Sequence, residues 1–251
     1  MKPSNVLVVL VLSLIIGLGS GLSFVSPALA QSETEEKTEA KEKAAEPAKE
    51  DKGKAKEMSA KDKKAVLLDP KSPEMTKQAP DVFKVKFETS KGDIILEVTR
   101  KLSPLGVDRF YNLVRFGFYD EARFFRVMSG FMAQFGINAD PNVSKKWMDA
   151  GIKDEPVKAS NTPGMMSFAK RGSPNSRTTQ LFINFGNNAS LDPQGFSPFA
   201  KVIEGMDTVN AIYAGHGQTP RQDRIQSEGN TYLKKEFPKL DYIKKATVLV
   251  E

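Results

Sequence analysis

From residue 83 the chain alternates: Phe83, Val85 and Phe87 are apolar, and Lys84, Lys86 and Glu88 between them are charged. A period of two places each set on its own face of a strand with one buried side. Ser90-Lys91-Gly92 turns the chain, and Asp93 to Thr99 returns as a second strand, which predicts a hairpin. At Ser103-Pro104 the period changes. Serine at the N-cap and proline in the first helical position open a helix, along which Val107, Phe110, Tyr111, Val114 and Phe118 recur at helical spacing. Further short strands are predicted at 123–128, 132–135, 165–169, 180–184, 198–203 and 246–250. A second helix fits Met206, Val209 and Tyr213 and is stopped by Gly215. Eight short strands with two core helices, and no internal repeat, predict a mainly β domain: a closed eight-stranded antiparallel β-barrel capped by two α-helices.

The pattern also has a beginning. Residues 31–64 hold ten acids and ten bases among 34 positions, with no aromatic residue and Met58 as the one large apolar side chain. Such a tract buries too little apolar surface to offset its ordering entropy. Pro70, Pro73 and Pro80 then punctuate the chain, so residues 31–80 read as a disordered Lys/Glu/Ala-rich linker, removable without loss of stability or turnover, and 81–251 as the folded domain. Upstream, Lys2 precedes a thirteen-residue apolar run from Val6 to Leu18, broken only by Ser13 and Gly17, and Ala28-Leu29-Ala30 has the form a signal peptidase reads. Residues 1–30 therefore read as a signal peptide cleaved before Gln31. The competing reading is an uncleaved span from Val6 to Val25, which Gly17, Gly19 and Gly21 weaken. Export places the protein in the periplasm or cell envelope, or outside the cell.

Composition removes several chemistries. With no cysteine there is no thiolate nucleophile and no cysteine zinc site, and one histidine, His216, makes a histidine-based triad or metal cluster improbable. The net charge is +6, of which +5 falls in residues 81–251. These bases are scattered, which reads as a solvated surface and not as a nucleic-acid site.

Two stretches carry chemistry. Phe124-Phe125-Arg126-Val127-Met128-Ser129-Gly130-Phe131-Met132-Ala133-Gln134 sets one arginine and one glutamine among phenylalanines and methionines. By itself it is compatible with a strand bearing an outward arginine. It is joined by Thr178-Thr179-Gln180-Leu181-Phe182-Ile183-Asn184, and by Leu191-Asp192 followed by Phe199-Ala200-Lys201-Val202-Ile203-Glu204-Gly205-Met206. The three blocks, in this order, resemble the signature segments of the cyclophilins, and the likeness covers about residues 82–251.

That resemblance implies a peptidyl-prolyl cis–trans isomerase that acts on proline-containing segments of folding proteins, as a monomer, without cofactor or metal, and with no nucleic-acid or membrane partner in the mature form. It implies that Arg126 is the catalytic arginine and that Phe125, Phe131, Met132, Gln134, Gln180, Phe182, Leu191 and Phe196 bind substrate, with Lys170-Arg171-Gly172 holding the peptide by its backbone. Phe196 and Phe125 stand where the family commonly has histidine, and Ser190 where it has tryptophan. Leu181 replaces a phenylalanine, and Phe135 replaces a glycine, which predicts a narrower groove. These departures leave open a second reading, a proline-peptide-binding chaperone module with vestigial catalysis. Two insertions exceed a minimal barrel. Residues 137–157 contain Trp147, read as a cover over the barrel, and 217–245 carry Tyr232, Leu233, Phe237, Leu240, Tyr242 and Ile243, read as one face of a docked helix. His216 is expected in a glycine turn without catalytic duty.

Overall fold

The computed structural model describes residues 58–249. The expected signal peptide, 1–30, and linker residues 31–57 lie outside them. All eight strands are present: β1 (Val82–Thr89), β2 (Asp93–Thr99), β3 (Arg126–Met128), β4 (Met132–Phe135), β5 (Met165–Phe168), β6 (Leu181–Asn184), β7 (Pro198–Glu204) and β8 (Ile243–Leu249). They form one antiparallel sheet in the order β3-β4-β6-β5-β7-β2-β1-β8.

The expected closed barrel is corrected to an open half-barrel, because the edge strands β3 and β8 form no ladder with each other. A single antiparallel bridge, Arg123 to Tyr242, links the segments that precede them. β3 has only three residues, and the N–H of Val127 donates to the carbonyl of Gly217 at 2.9 Å and not to a strand. On the other edge the N–H of Ala246 donates to Asp120 Oδ1 at 2.9 Å. Burial raises the pKa of this carboxyl group against the pull of that hydrogen bond. Loop groups thus occupy positions that an eighth pairing, between β3 and β8, would need.

The core face follows the predicted alternation. Val85, Phe87, Ile94, Leu96 and Val98 are fully buried, and Phe87 meets Phe110 and Phe135 edge-on at 6.3 and 5.7 Å. Phe110 lies on α2 (Pro104–Arg115), whose Val107, Leu113 and Val114 also face the sheet. The start of α2 differs from expectation, since the Ser103 side chain makes no capping bond. Glu155, from the 137–157 insertion, supplies the cap instead: its carboxylate accepts from Leu105 N at 2.7 Å and Gly106 N at 3.1 Å. It also accepts from Ser103 Oγ and, at 3.0 Å, from Arg177, which is 1% exposed. A carboxylate suits the positive end of a helix, and sequence distance hides such a cap.

The second expected helix is a short α4 (Met206–Asn210). Three helices lie outside the sheet and its two predicted caps in the later part of the chain: α3 (Pro141–Trp147), α5 (Gln222–Glu228) and α6 (Asn230–Glu236). Gly229 separates the last two at φ +59°, and a side chain there would strike the carbonyl of Ala139, so glycine is required on both counts.

The linker boundary at residue 80 is also corrected, because residues 60–80 pack on the domain. α1 (Ala60–Leu67) is capped by Ser59, whose Oγ accepts from Asp62 N at 3.2 Å. Leu67, Met75 and Ala79 are buried in the main core. Trp147 Nε1 donates to the carbonyl of Leu67 at 2.8 Å, Asn112 Nδ2 to that of Lys77 at 2.7 Å, and Ala79 N to Asp108 Oδ1 at 2.9 Å. Trp147 is buried, as its covering role requires, and it covers this segment too.

Candidate active site

The β3–β4 turn places Arg126 opposite Gln134, and the β4–β6 register places Gln134 opposite Phe182. With a period of two, Met132 and Gln134 share one face of β4 and Ala133 and Phe135 the other. Arg126 Nη1 donates to Gln134 Oε1 at 3.1 Å, Gln134 Nε2 to Gln180 Oε1 at 2.8 Å, and Arg126 Nε to Gln218 Oε1 at 3.4 Å. Both partners of the guanidinium are neutral amides. They fix its direction without compensating its charge, and no carboxylate among the described residues forms an ion pair with it. Arg126 is half-buried, and the lost hydration lowers its pKa from the usual arginine value.

Beside the guanidinium is an apolar recess. Phe131, Met132, Phe182, Leu191 and Phe196 line a cavity of about 380 Å³ together with Arg126, Gln134 and Gln180. Phe182 and Phe196 meet edge-on at 5.8 Å and 73°. The turn carrying Leu191 is tied down through Asp192, whose carboxylate accepts from Asn161 Nδ2 at 2.7 Å and Ser160 Oγ at 2.5 Å. Burial pushes the pKa of Asp192 up, but these hydrogen bonds prevail and lower it.

Eight of the nine residues expected at the site are therefore brought together. The ninth, Phe125, is not. It is 1% exposed and packs with Ile137, Ile225, Tyr232, Leu233, Phe237 and Leu240 in a cluster separate from the main core. Successive residues of an extended segment face opposite ways, so Arg126 in the cavity sends Phe125 behind it. Phe135 is likewise a core residue, in ring contact with Phe124 at 5.1 Å and Tyr119 at 6.0 Å, and does not narrow the groove. His216 lies outside the cavity, edge-on to Tyr213 and Phe237 at 5.1 Å each.

The cavity also has walls that the sequence reading missed. Met148 comes from the first insertion, Gln222 and Gln226 from α5 in the second, and Ser176 and Thr178 from the segment before β6. Ala169, Lys170 and Arg171 complete the lining, with Lys170 Nζ 5.6 Å above the Phe196 ring. The one available signal was Gln222 and Gln226 at i,i+4, flanking the apolar Ile225. Three cations line the cavity, but no aspartate, glutamate or cysteine does. Among the described residues no group of three or more His, Asp or Glu is placed to hold a metal. An oriented cation beside an apolar recess suits electrostatic stabilisation of a bound polar group next to an apolar ring.

Residues 84–230 match the family described as cyclophilin type peptidyl-prolyl cis-trans isomerase, more than half of the chain. Peptidyl-prolyl cis-trans isomerase B of Escherichia coli is 34% identical over 156 residues, 56% of this chain and 94% of that protein. A peptidyl-prolyl cis-trans isomerase of Streptomyces antibioticus is 35% identical over 153 residues, 55% of this chain and 92% of its own length. The crystal structure of a Cryptosporidium parvum cyclophilin in the presence of the dipeptide Ala-Pro superposes with a TM-score of 0.51. It covers 67% of this chain and 99% of that one at 21% identity, a likeness that speaks for the fold.

Proposed function

The chain belongs to the cyclophilin-type peptidyl-prolyl cis–trans isomerase family and catalyses rotation about X–Pro bonds, and we propose that Arg126 supplies the catalytic interaction. The observation that carries this reading is the Arg126–Gln134–Gln180 chain beside the recess of Phe131, Met132, Phe182, Leu191 and Phe196.

Conjugation of the nitrogen lone pair holds the X–Pro bond planar against a barrier of about 18–20 kcal/mol, and unassisted isomerisation takes about 10–100 s. In the twisted transition state the nitrogen becomes pyramidal and accepts a hydrogen bond that the planar amide cannot. A guanidinium aimed at that nitrogen stabilises the transition state and not the ground state, which is the condition for a gain in kcat. The recess takes the pyrrolidine ring, Gln134 holds the guanidinium in place, and Nη2, with no hydrogen-bond partner among the described residues, is left for the substrate. The substrates are proline-containing segments, the chemistry of the Ala-Pro dipeptide present with the Cryptosporidium protein. Of Phe125, Phe135 and Ser190, the departures that left room for a chaperone module with vestigial catalysis, the first two are buried behind the groove and Ser190 is not among its lining residues.

We also propose that the protein is exported and acts on exported proteins as they fold, on the strength of the apolar run Val6 to Leu18 and Ala28-Leu29-Ala30. Intact mass from the native envelope checks this, and retention of residues 1–30 overturns cleavage. Arg126→Lys tests the catalytic role. A point ammonium lacks the fixed fork of donors, so this variant loses most of its turnover of a short X–Pro peptide. Near wild-type turnover by a folded Lys variant overturns the assignment.

A further inference from the structure

The cavity has a wall that the sheet does not supply. Gln222 and Gln226 lie four residues apart on α5, share one face of that helix and both line the cavity. The helix is fixed from behind. Ile225 is buried against the cluster that includes Phe125, Ile137, Leu233 and Phe237. Asn230 N donates to the carbonyl of Ala139 at 3.1 Å, and Asn230 Nδ2 to that of Glu121 at 3.0 Å. The same segment reaches Arg126 through Gln218. α5 is therefore anchored beside the site through Ile225 and through Asn230 of the adjoining α6.

One atom of this wall is unsatisfied. Gln226 Oε1 is shielded from solvent and has no hydrogen-bond partner among the described residues. A buried acceptor without a donor is costly. The terminal torsion of a glutamine is soft, so turning this amide into the cavity to meet a donor lowers the free energy.

We propose that Gln222 and Gln226 form a backbone-reading subsite that takes the main-chain N–H and C=O groups of a substrate residue beyond the X–Pro unit. A primary amide carries both a donor and an acceptor and so matches a peptide unit whatever its side chain. The enzyme then prefers prolines embedded in extended chain over a minimal X–Pro unit, irrespective of the neighbouring sequence. Because the contact is between neutral groups, the preference resists salt. The inference rests on the reading that X–Pro peptides occupy this cavity.

The test uses the full chain with two peptides, a blocked Ala-Pro dipeptide and the same unit flanked on both sides by alanine and serine residues. Kd comes from titration, and turnover from magnetisation exchange. Wild type binds the extended peptide more tightly, and Gln226→Leu cuts that preference about three- to tenfold, the range of one hydrogen bond, at low and high salt alike. Gln222→Leu, at an exposed position, acts in the same direction and keeps the test open should Gln226→Leu unfold. Equal affinity of wild type for both peptides overturns the subsite, as does an unchanged long-to-short ratio in folded variants. A wild type that binds both peptides but turns over neither overturns the isomerase reading, while the Kd ratio still decides the subsite.

Discussion

Two segments outside the sheet dock on it in contrasting ways. Residues 60–80 add Leu67, Met75 and Ala79 to the main core and tie their backbone to Trp147 and Asn112, yet none of them lines the Arg126 cavity. Residues 217–241 build a core of their own around Phe125 and Ile137 and present Gln218, Gln222 and Gln226 to the site. The first segment stabilises the domain; the second stabilises it and shapes what it binds. The same apolar docking has different consequences according to which end of the sheet it covers.

The largest effect separates chemistry from docking altogether. Arg126→Ala lowers kcat/KM about 10²–10³-fold, the roughly 2.7–4 kcal/mol attached to one preorganised donor, with little change in Tm because the side chain is half-buried in an open groove. A folded Ala variant with near wild-type kcat/KM removes Arg126 from catalysis. Next comes Leu233→Ala, which empties a site 2% exposed in the second cluster. It costs about 2–5 kcal/mol and raises KM as α5 loosens. A fall in Tm with unchanged KM would mean that the insertion supports the fold alone. Leu67→Ala, or the 81–251 fragment, loses about 2–3 kcal/mol, a drop of about 4–12 °C in Tm, and keeps kcat/KM within about twofold. This reverses the expectation that residues 31–80 are dispensable for stability, and an 81–251 fragment melting with the full chain would restore it. Smallest is Gln218→Ala, which reduces kcat about threefold through a less restrained guanidinium and leaves Tm in place. An effect on KM alone would make Gln218 a binding contact and not a positioning residue.

The strands were legible because each leaves a local trace, a period of two bounded by turns, and all eight appear within a few residues of the predicted positions. The site was legible through the resemblance of its blocks to the cyclophilin signature segments: Arg126, Gln134 and Phe182 lie on β3, β4 and β6, and Gln180 immediately precedes β6. What failed was non-local. The barrel stays open because the Gly217 carbonyl takes the N–H of Val127, across residues that no pattern connects. Val66, Leu67, Leu68 and Met75 stand at the end of a tract with almost no other large apolar residue, so the tract's composition concealed them. Phe125 was misplaced because the resemblance implied a place in the groove for it, although adjacent residues of an extended chain face opposite sides and Arg126 already faces the cavity.

The uncoupled edges of the sheet have one more consequence. Any extended peptide that an isomerase of X–Pro bonds meets is able to add itself to an exposed sheet edge as a further strand. An eight-stranded sheet left open would invite that capture and the aggregation that follows. Here the N–H of Val127 is engaged by Gly217, that of Ala246 by the Asp120 carboxylate and that of Ile243 by Ala122. The half-barrel thus closes these three edge positions to a further strand and leaves the groove beside Arg126 as its opening to a peptide.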